Sequence, residues 1–95
     1  MYLTYVRHRV KDFAHWRSVF DEHTPILKEA GAIDTRIVQV DGDPHDIVVI
    51  TTWPSSKNWE TFIALHGFTG ISDIKAAQDK AGIIGTPEFL GGEVE

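Results

Sequence analysis

Asp46-Ile47-Val48-Val49-Ile50-Thr51-Thr52-Trp53 decides the fold. β-branched aliphatic residues, two threonines and a tryptophan suit a pleated strand. Polar and apolar residues do not alternate along it, so neither face expects water. A strand apolar on both faces belongs in the middle of a sheet that is covered on both sides. Upstream, Asp41-Gly42-Asp43-Pro44-His45 reads as a turn, with Asp41-Gly42 opening a hairpin into this strand. Downstream, Pro54 stops the strand and Ser55-Ser56 can start a helix.

Working outward, Tyr2 to Val10 alternates: Tyr2, Thr4, Val6, His8 and Val10 share one face, and Leu3, Tyr5, Arg7 and Arg9 share the other. Asp12 is a helix N-cap candidate, followed by an apolar stripe at helical spacing, Phe13, Trp16, Phe20, His23 and Leu27. Pro25 lies inside that stripe and predicts a kink or break near His23-Thr24. Gly31 stands where a C-terminal cap belongs. Ala32 to Asp41 reads as a second strand, with Ile33, Thr35, Ile37 and Gln39 on one side. A helix from Ser55 or Ser56 carries Trp59, Phe62, Ile63 and His66 on one face. Gly67 and Gly70 interrupt it, Ser72 caps a further helix with Ile71, Ile74, Ala77 and Ala81 inward, and Gly82 ends that helix. Gly85-Thr86-Pro87 leads into a last strand, Glu88 to Val94, in which Pro87 and Gly91-Gly92 suit an edge strand or a bulge.

The predicted order is β-α-β-β-α-β, the α+β ferredoxin-like unit: a four-stranded antiparallel sheet with both helices on one face. Residues 1–95 then make a single domain. The helices cover one face only, yet the central strand is apolar on both. A second copy of the chain is the simplest cover, so a homodimer is expected.

Composition removes several classes. The 95 residues carry a net charge of −5, with a pI near 5.4, where phosphate binding needs a basic face; nucleic acid is not an expected partner. There is no Cys, hence no disulfide, no thiolate metal site and no Cys nucleophile. No Gly-rich phosphate loop and no GxSxG motif occur. Residues 1–11 read as a strand rather than a signal peptide, and no apolar run reaches membrane-spanning length, so a cytoplasmic protein without a membrane partner is expected.

Three histidines should point inward: His8 on the first strand, His23 on the first helix and His66 on the second. Imidazole in apolar surroundings can exchange a proton near neutral pH, which makes these the candidate catalytic residues. They can equally be three separate structural histidines, or three ligands of one metal. No HxH or HxxxH spacing supports the last, and no metal is expected. His15 falls off the apolar stripe and His45 sits in an acidic turn, so both should be solvated. The turn around Asp41-Asp46 lacks the alternate ligands and late Glu of a calcium loop. Tyr5, Trp16, Trp53 and Phe62 are candidate walls for a small hydrophobic or aromatic ligand. Arg7 and Arg9 share a face with Tyr5 on a central strand; salt bridges across the dimer are expected for them, with an anionic ligand as the alternative.

Val10-Lys11-Asp12-Phe13 with Trp16, Phe20-Asp21-Glu22-His23, Ala30-Gly31, Trp53 ahead of a Ser-led helix, and Ala81-Gly82-Ile83-Ile84-Gly85-Thr86-Pro87-Glu88-Phe89 carry a family likeness. On these stretches the chain resembles the dimeric α+β barrel superfamily, and most of all its small antibiotic-biosynthesis-monooxygenase-like proteins. The resemblance implies a homodimer with sheets packed face to face and a pocket between sheet and helices. Some members oxidise aromatic polyketides without a cofactor and others degrade haem. The haem branch is similar only at Trp53: residues 2–10 hold no Asn, and Phe62-Ile63 stand where its second-helix His would fall. The resemblance therefore implies a cofactor-independent monooxygenase acting on an aromatic or enolic small molecule. His8, His23 or His66 would accept the proton, and Trp53 or Tyr5 would position the ring. The rival from a different class is a non-catalytic ligand-binding or assembly module with structural histidines.

Overall fold

In the computed structural model, which describes residues 1–66 and 82–94, the Asp46–Trp53 segment is a strand with six of its eight residues buried. The elements run β1 (Tyr2–Val10), α1 (Phe13–Glu29), β2 (Asp34–Gln39), β3 (Asp46–Trp53), α2 (Ser56–His66) and β4 (Ile83–Glu93). The four strands form one sheet in the order β2-β3-β1-β4, all neighbours antiparallel. The β-rich stretch of the sequence thus lies in the centre with β1, and β2 and β4 are the edges. The further helix expected over 72–81 lies outside the described residues.

Helix α1 starts and stops where its chemistry directs. The Asp12 carboxylate accepts from the Ala14 amide at 3.0 Å, satisfying one of the free donors of the first turn. At the other end Gly31 takes φ +102°, which a side chain would resist. The Gly31 and Ala32 amides donate to the Lys28 and Leu27 carbonyls, both at 3.0 Å, closing the helix in a Schellman turn. The Asn58 amide of α2 donates to the Ala30 carbonyl at 2.9 Å and locks the two helices together at this corner.

Of the kink or break expected at Pro25, the break does not occur: the helix is continuous from Phe13 to Glu29. Pro25 and Asp21 are both exposed, so the carbonyl that loses its N–H partner lies on the water side. On the inner side, Thr24 Oγ1 donates to the Phe20 carbonyl at 3.2 Å and His23 Nδ1 to the Val19 carbonyl at 2.8 Å. Side chains reinforce the turn just before the proline.

Two edge strands differ in extent from their sequence reading. β2 spans Asp34–Gln39 rather than 32–41. β4 begins at Ile83, not Glu88, because Ile83 and Ile84 already pair with Val10 and Arg9. Gly85-Thr86-Pro87, read as a lead-in, is an irregularity inside the strand: Arg7 pairs with Glu88 but Arg9 with Ile84.

The covered face holds two clusters. One gathers Val10, Trp16, Val19, Ile47, Val49 and Ile83, with Phe13 and Phe20 against it. The other gathers Val6, Leu27, Trp53, Trp59 and Phe62. Every buried α1 and α2 side chain in them meets the same face of the sheet, so both helices lie on that face, as the ferredoxin-like order requires.

Candidate functional site

β-Alternation sends Thr4, Val6, His8 and Val10 toward the helices, and all four are buried. His8 stands between the two clusters. Its neighbours on β1 are Val6 and Val10, its partner on β3 is Ile47, and the Trp16 ring of α1 lies 5.4 Å from its own, tilted by 59°. Trp16 is held by Phe13 and Phe20, stacked at 5.9 and 5.2 Å. The imidazole is only 5% exposed, and neither ring nitrogen meets a hydrogen-bond partner among the described residues. Burial away from water pushes its pKa down from 6.5 to about 4, so at neutral pH the ring is uncharged. A buried imidazole with no partner costs free energy, and such a group in a folded protein calls for a ligand, a water or a chemical role.

The end of β1 just beyond His8 is clamped. The Val10 amide donates to the His45 carbonyl at 2.8 Å, and His45 Nδ1 lies 3.0 Å from the Val10 carbonyl. The carbonyl can only accept, so that Nδ1 carries the proton. Asp43 Oδ1 accepts the His45 amide at 3.0 Å. His45 is therefore tied into the hairpin turn, though largely exposed as expected; the acidic turn serves to fix the strand that presents His8.

The other candidates fall in different places. His23 is half-buried on α1 and gives its Nδ1 proton to its own helix, leaving Nε2 as the basic atom. His66 is the last described residue of α2, and its side chain lies outside the described set. Trp16 touches His8. Trp53 is fully buried; its Nε1 donates to Thr4 Oγ1 at 3.0 Å, and its ring packs on Trp59 and Phe62 at 5.8 and 5.5 Å. Trp53 and Phe62 thus build the second cluster rather than the surroundings of His8. Tyr5 is separated from all of them. It lies on the opposite face of the sheet, between Ile50 and Leu90, because its odd position in β1 points it away from the helices.

Arg7 and Arg9 also lie on that open face, and each pairs with a carboxylate of its own chain. Arg7 grips Asp46 with two hydrogen bonds, Nε–Oδ1 at 3.0 Å and Nη2–Oδ2 at 2.6 Å. Arg9 Nη1 meets Asp43 Oδ2 at 2.8 Å. The Arg7 hydrogen bond holds the Asp46 carboxyl below the usual carboxylate range, and Arg9, with the His45 amide, does the same for Asp43. These side chains are occupied and do not present a free cation to an anionic ligand. Sequence reading missed Asp46 as the anchor of Arg7 because it stands at the head of the most apolar strand.

A groove of about 500 Å³ runs between the end of α1 and α2, lined by Ile26, Ala30, Asn58, Thr61 and Phe62 among others. It lies apart from His8, and the Asn58 amide in its wall is already bonded to Ala30 and Ser55. Among the described residues no cluster of three or more His, Asp or Glu side chains is arranged to hold a metal ion, and no helix is long and apolar enough to cross a membrane.

The sequence matches no family model and no curated protein. Solved structures do match. An antibiotic biosynthesis monooxygenase superposes with a TM-score of 0.72 at 14% identity, over 100% of this chain and 99% of the other. SnoaB, a cofactor-independent oxygenase from Streptomyces nogalater, gives 0.72 at 18% identity over 99% and 93%. A conserved protein from Methanosarcina mazei Go1 gives 0.76 at 16% over 100% and 94%. The chain therefore has the ferredoxin-like α+β fold of the antibiotic-biosynthesis-monooxygenase-like proteins.

Proposed function

We propose that the chain, as a single domain spanning 1–95, is a cytoplasmic homodimeric oxygenase that acts without a cofactor on an aromatic or enolic small molecule, with His8 as the proton acceptor. The observation that carries the reading is the buried, uncharged His8 imidazole with both nitrogens unpartnered among the described residues, set against the Trp16 ring. The shared fold with SnoaB, described as a cofactor-independent oxygenase, supports the reaction type.

The chemistry balances with dioxygen as the only oxidant. Neutral His8 removes a proton from an acidic CH2 group flanked by carbonyl or aryl carbon. The carbanion adds O2 to give a peroxide anion, which takes the proton back from the imidazolium. Loss of water from the hydroperoxide turns CH2 into C=O. An imidazole with a pKa of about 4 is a weak base in the empty site. A negative charge forming beside it raises that value, so its basicity rises as the proton moves. Trp16 would support a flat ring, and His23 and the side chain of His66 remain secondary candidates for proton transfer.

The dimer uses the open face of the sheet. Leu3, Val38, Ile84 and Leu90 are exposed there, in columns with Val48, Ile50 and Tyr5. Its Arg7 and Arg9 charges are already neutralised within the chain, which suits burial against a like surface.

Oxygen uptake with a panel of hydroquinones, anthrones and cyclic diketones tests the reaction, with no flavin, haem or metal added. His8→Ala should lower turnover by about a hundredfold or more while ligand binding changes far less, since general-base catalysis contributes about 10²–10⁴. Uptake by His8→Ala equal to wild type removes His8 as the base. No uptake by wild type across the panel turns the reading to a non-catalytic ligand-binding module.

A further inference from the structure

Four polar residues are buried among those described: Thr4, His8, Asp46 and Thr51. Asp46 is the one with a fixed charge, and Arg7 holds that charge on the opposite face of the sheet. The Thr4 hydroxyl accepts from the Trp53 indole and donates to the Thr51 carbonyl. Among the described residues, the buried side-chain nitrogen and oxygen atoms without a hydrogen bond are the two nitrogens of His8. The groups around that ring are apolar. Val6 and Val10 flank it on β1, Ile47 lies opposite on β3, and the Trp16 ring of α1 lies 5.4 Å away. Two other titratable groups belong to this face. His23 of α1 gives its Nδ1 proton to the Val19 carbonyl, and Tyr2 packs on the Trp53 cluster. The described part of α2 contributes Trp59, Phe62 and Ile63, and β4 contributes Ile83. No side chain of either cluster carries a charge.

We infer that the His8 site selects the un-ionised form of a weak oxygen acid, a phenol or an enol whose hydroxyl donates to the imidazole, and excludes the anion of the same compound. The inference rests on the reading of His8 as a ligand-facing base. It concerns which protonation state binds and needs no oxygen chemistry. A neutral imidazole has one acceptor nitrogen, and a hydroxyl supplies the donor it lacks without bringing a charge. The anion has two ways in, and both are unfavourable. Beside a neutral imidazole it loses its water and meets no opposite charge. Alternatively it draws a proton onto His8 and forms an ion pair. Burial holds the His8 pKa near 4, three units below pH 7, so that proton alone weakens binding by roughly a thousandfold, before the desolvation of the pair. A carboxylic acid is ionised at neutral pH and falls in the excluded class, whereas an ordinary phenol is not and does not. In the reaction proposed above, the substrate then arrives uncharged, and negative charge appears only once His8 takes the proton.

The test uses 4-nitrophenol, whose anion is yellow and whose neutral form is not. At a pH equal to the probe's own pKa, adding the full chain should bleach the yellow band as the phenol is bound. Apparent affinity should then fall by about tenfold for each pH unit above that pKa, because only the protonated probe binds. 4-Nitroanisole, its methyl ether, should bind about tenfold more weakly than the un-ionised phenol, the worth of one hydrogen bond. In His8→Leu the phenol and the ether should agree within about twofold. The carboxylate 4-nitrobenzoate should not displace the probe. In wild type the His8 and Trp16 ring resonances should shift on saturation, a reading that stands even if His8→Leu does not fold. A yellow band that persists or grows on binding means that the anion enters with a protonated His8, and overturns the inference. Absence of binding at millimolar probe, unmoved His8 resonances, equal affinity for phenol and ether in wild type, or displacement by 4-nitrobenzoate overturns it as well. Bleaching in the expected pattern, with no oxygen uptake across the substrate panel, overturns the oxygenase reading alone.

Discussion

The two faces of one sheet are built on opposite principles. On the helix-covered face, polar atoms are scarce and one of them, His8, has no partner among the described residues. On the open face, aliphatic side chains stand exposed, with Leu90 71% accessible, yet Arg7, Arg9 and Arg36 pair with Asp46, Asp43 and Asp34. The face toward water satisfies its charges, and the face away from water leaves an imidazole unsatisfied. Stability alone would favour the reverse at His8, where an aliphatic residue would pack without a desolvation cost. The contrast places the unsatisfied polar group on the covered face and the exposed aliphatic side chains on the open one, which is what the proposed catalytic histidine and the proposed dimer contact would each require.

The largest effect expected from this contrast is on the covered face. Trp53→Ala should lower unfolding stability by about 3–5 kcal/mol, because loss of a fully buried indole leaves a cavity and removes the donor to the Thr4 hydroxyl, which keeps only its own bond to the Thr51 carbonyl. Trp16→Ala should fall in the same range and also expose His8. Urea midpoints decide; losses below about 1 kcal/mol would mean that the covered face is not the main core.

Next in size is a pH effect that separates the faces. The folded His8 pKa of about 4 lies below 6.5, so between those values the unfolded chain binds a proton that the folded chain refuses. Stability is full above pH 6.5 and falls as pH drops toward 4, by about 3 kcal/mol in all. The Asp46 carboxyl, lowered from 3.8 by Arg7, contributes stability that is present above pH 3.8 and lost below it. His8→Leu should therefore flatten the slope between pH 6.5 and 4 and leave the more acidic limb, while Asp46→Asn should do the converse. A wild-type chain equally stable at pH 7 and pH 5 would contradict the buried, unpartnered His8.

The open face is probed by association. Leu90→Asp should convert a species of twice the 10.7 kDa chain mass into a single chain by light scattering, with the far-ultraviolet spectrum retained. Wild type already at the single-chain mass would remove the proposed dimer and leave the exposed aliphatic columns without a role. The smallest effect belongs outside both faces: Arg17→Ala breaks the exposed pair with Asp21 and should cost no more than about 0.5 kcal/mol.

Much of the fold was legible locally. The alternation of β1 assigned Thr4, Val6, His8 and Val10 to one face, and the helix stripe through Trp16 and Leu27 found the buried side of α1. Asp12 and Gly31 marked the ends of α1 by their own backbone chemistry. Less of the site was legible. Tyr5 was grouped with Trp16, Trp53 and Phe62 as ligand walls because all are aromatic, although its place in the alternation already sent it to the other face. Pro25 by itself predicts a kink or break, because the inner-side hydrogen bonds of His23 and Thr24 and the exposure of Asp21, which accompany the continuous helix, are not encoded by the proline. The start of β4 was missed because Gly85-Thr86-Pro87 carries turn chemistry, and only pairing of Ile83 and Ile84 with β1 shows that the strand runs through it.

The sequence by itself determined the order of elements, the inward direction of His8 and the apolar character of both sides of β3. These follow from periodicities of two and 3.6 residues, which each segment carries in its own backbone. Tertiary structure alone decided which groups meet. Asp46 became the partner of Arg7 across 39 residues, Trp53 took the Thr4 hydroxyl across 49, and Trp16 came to lie on His8. The register slip in β4 then stood beside an imidazole with no described partner. A local pattern sets the direction of a side chain. Whether a hydrogen-bonding atom finds a mate depends on the few atoms that long-range packing brings within about 3 Å, and no spacing along the chain encodes that.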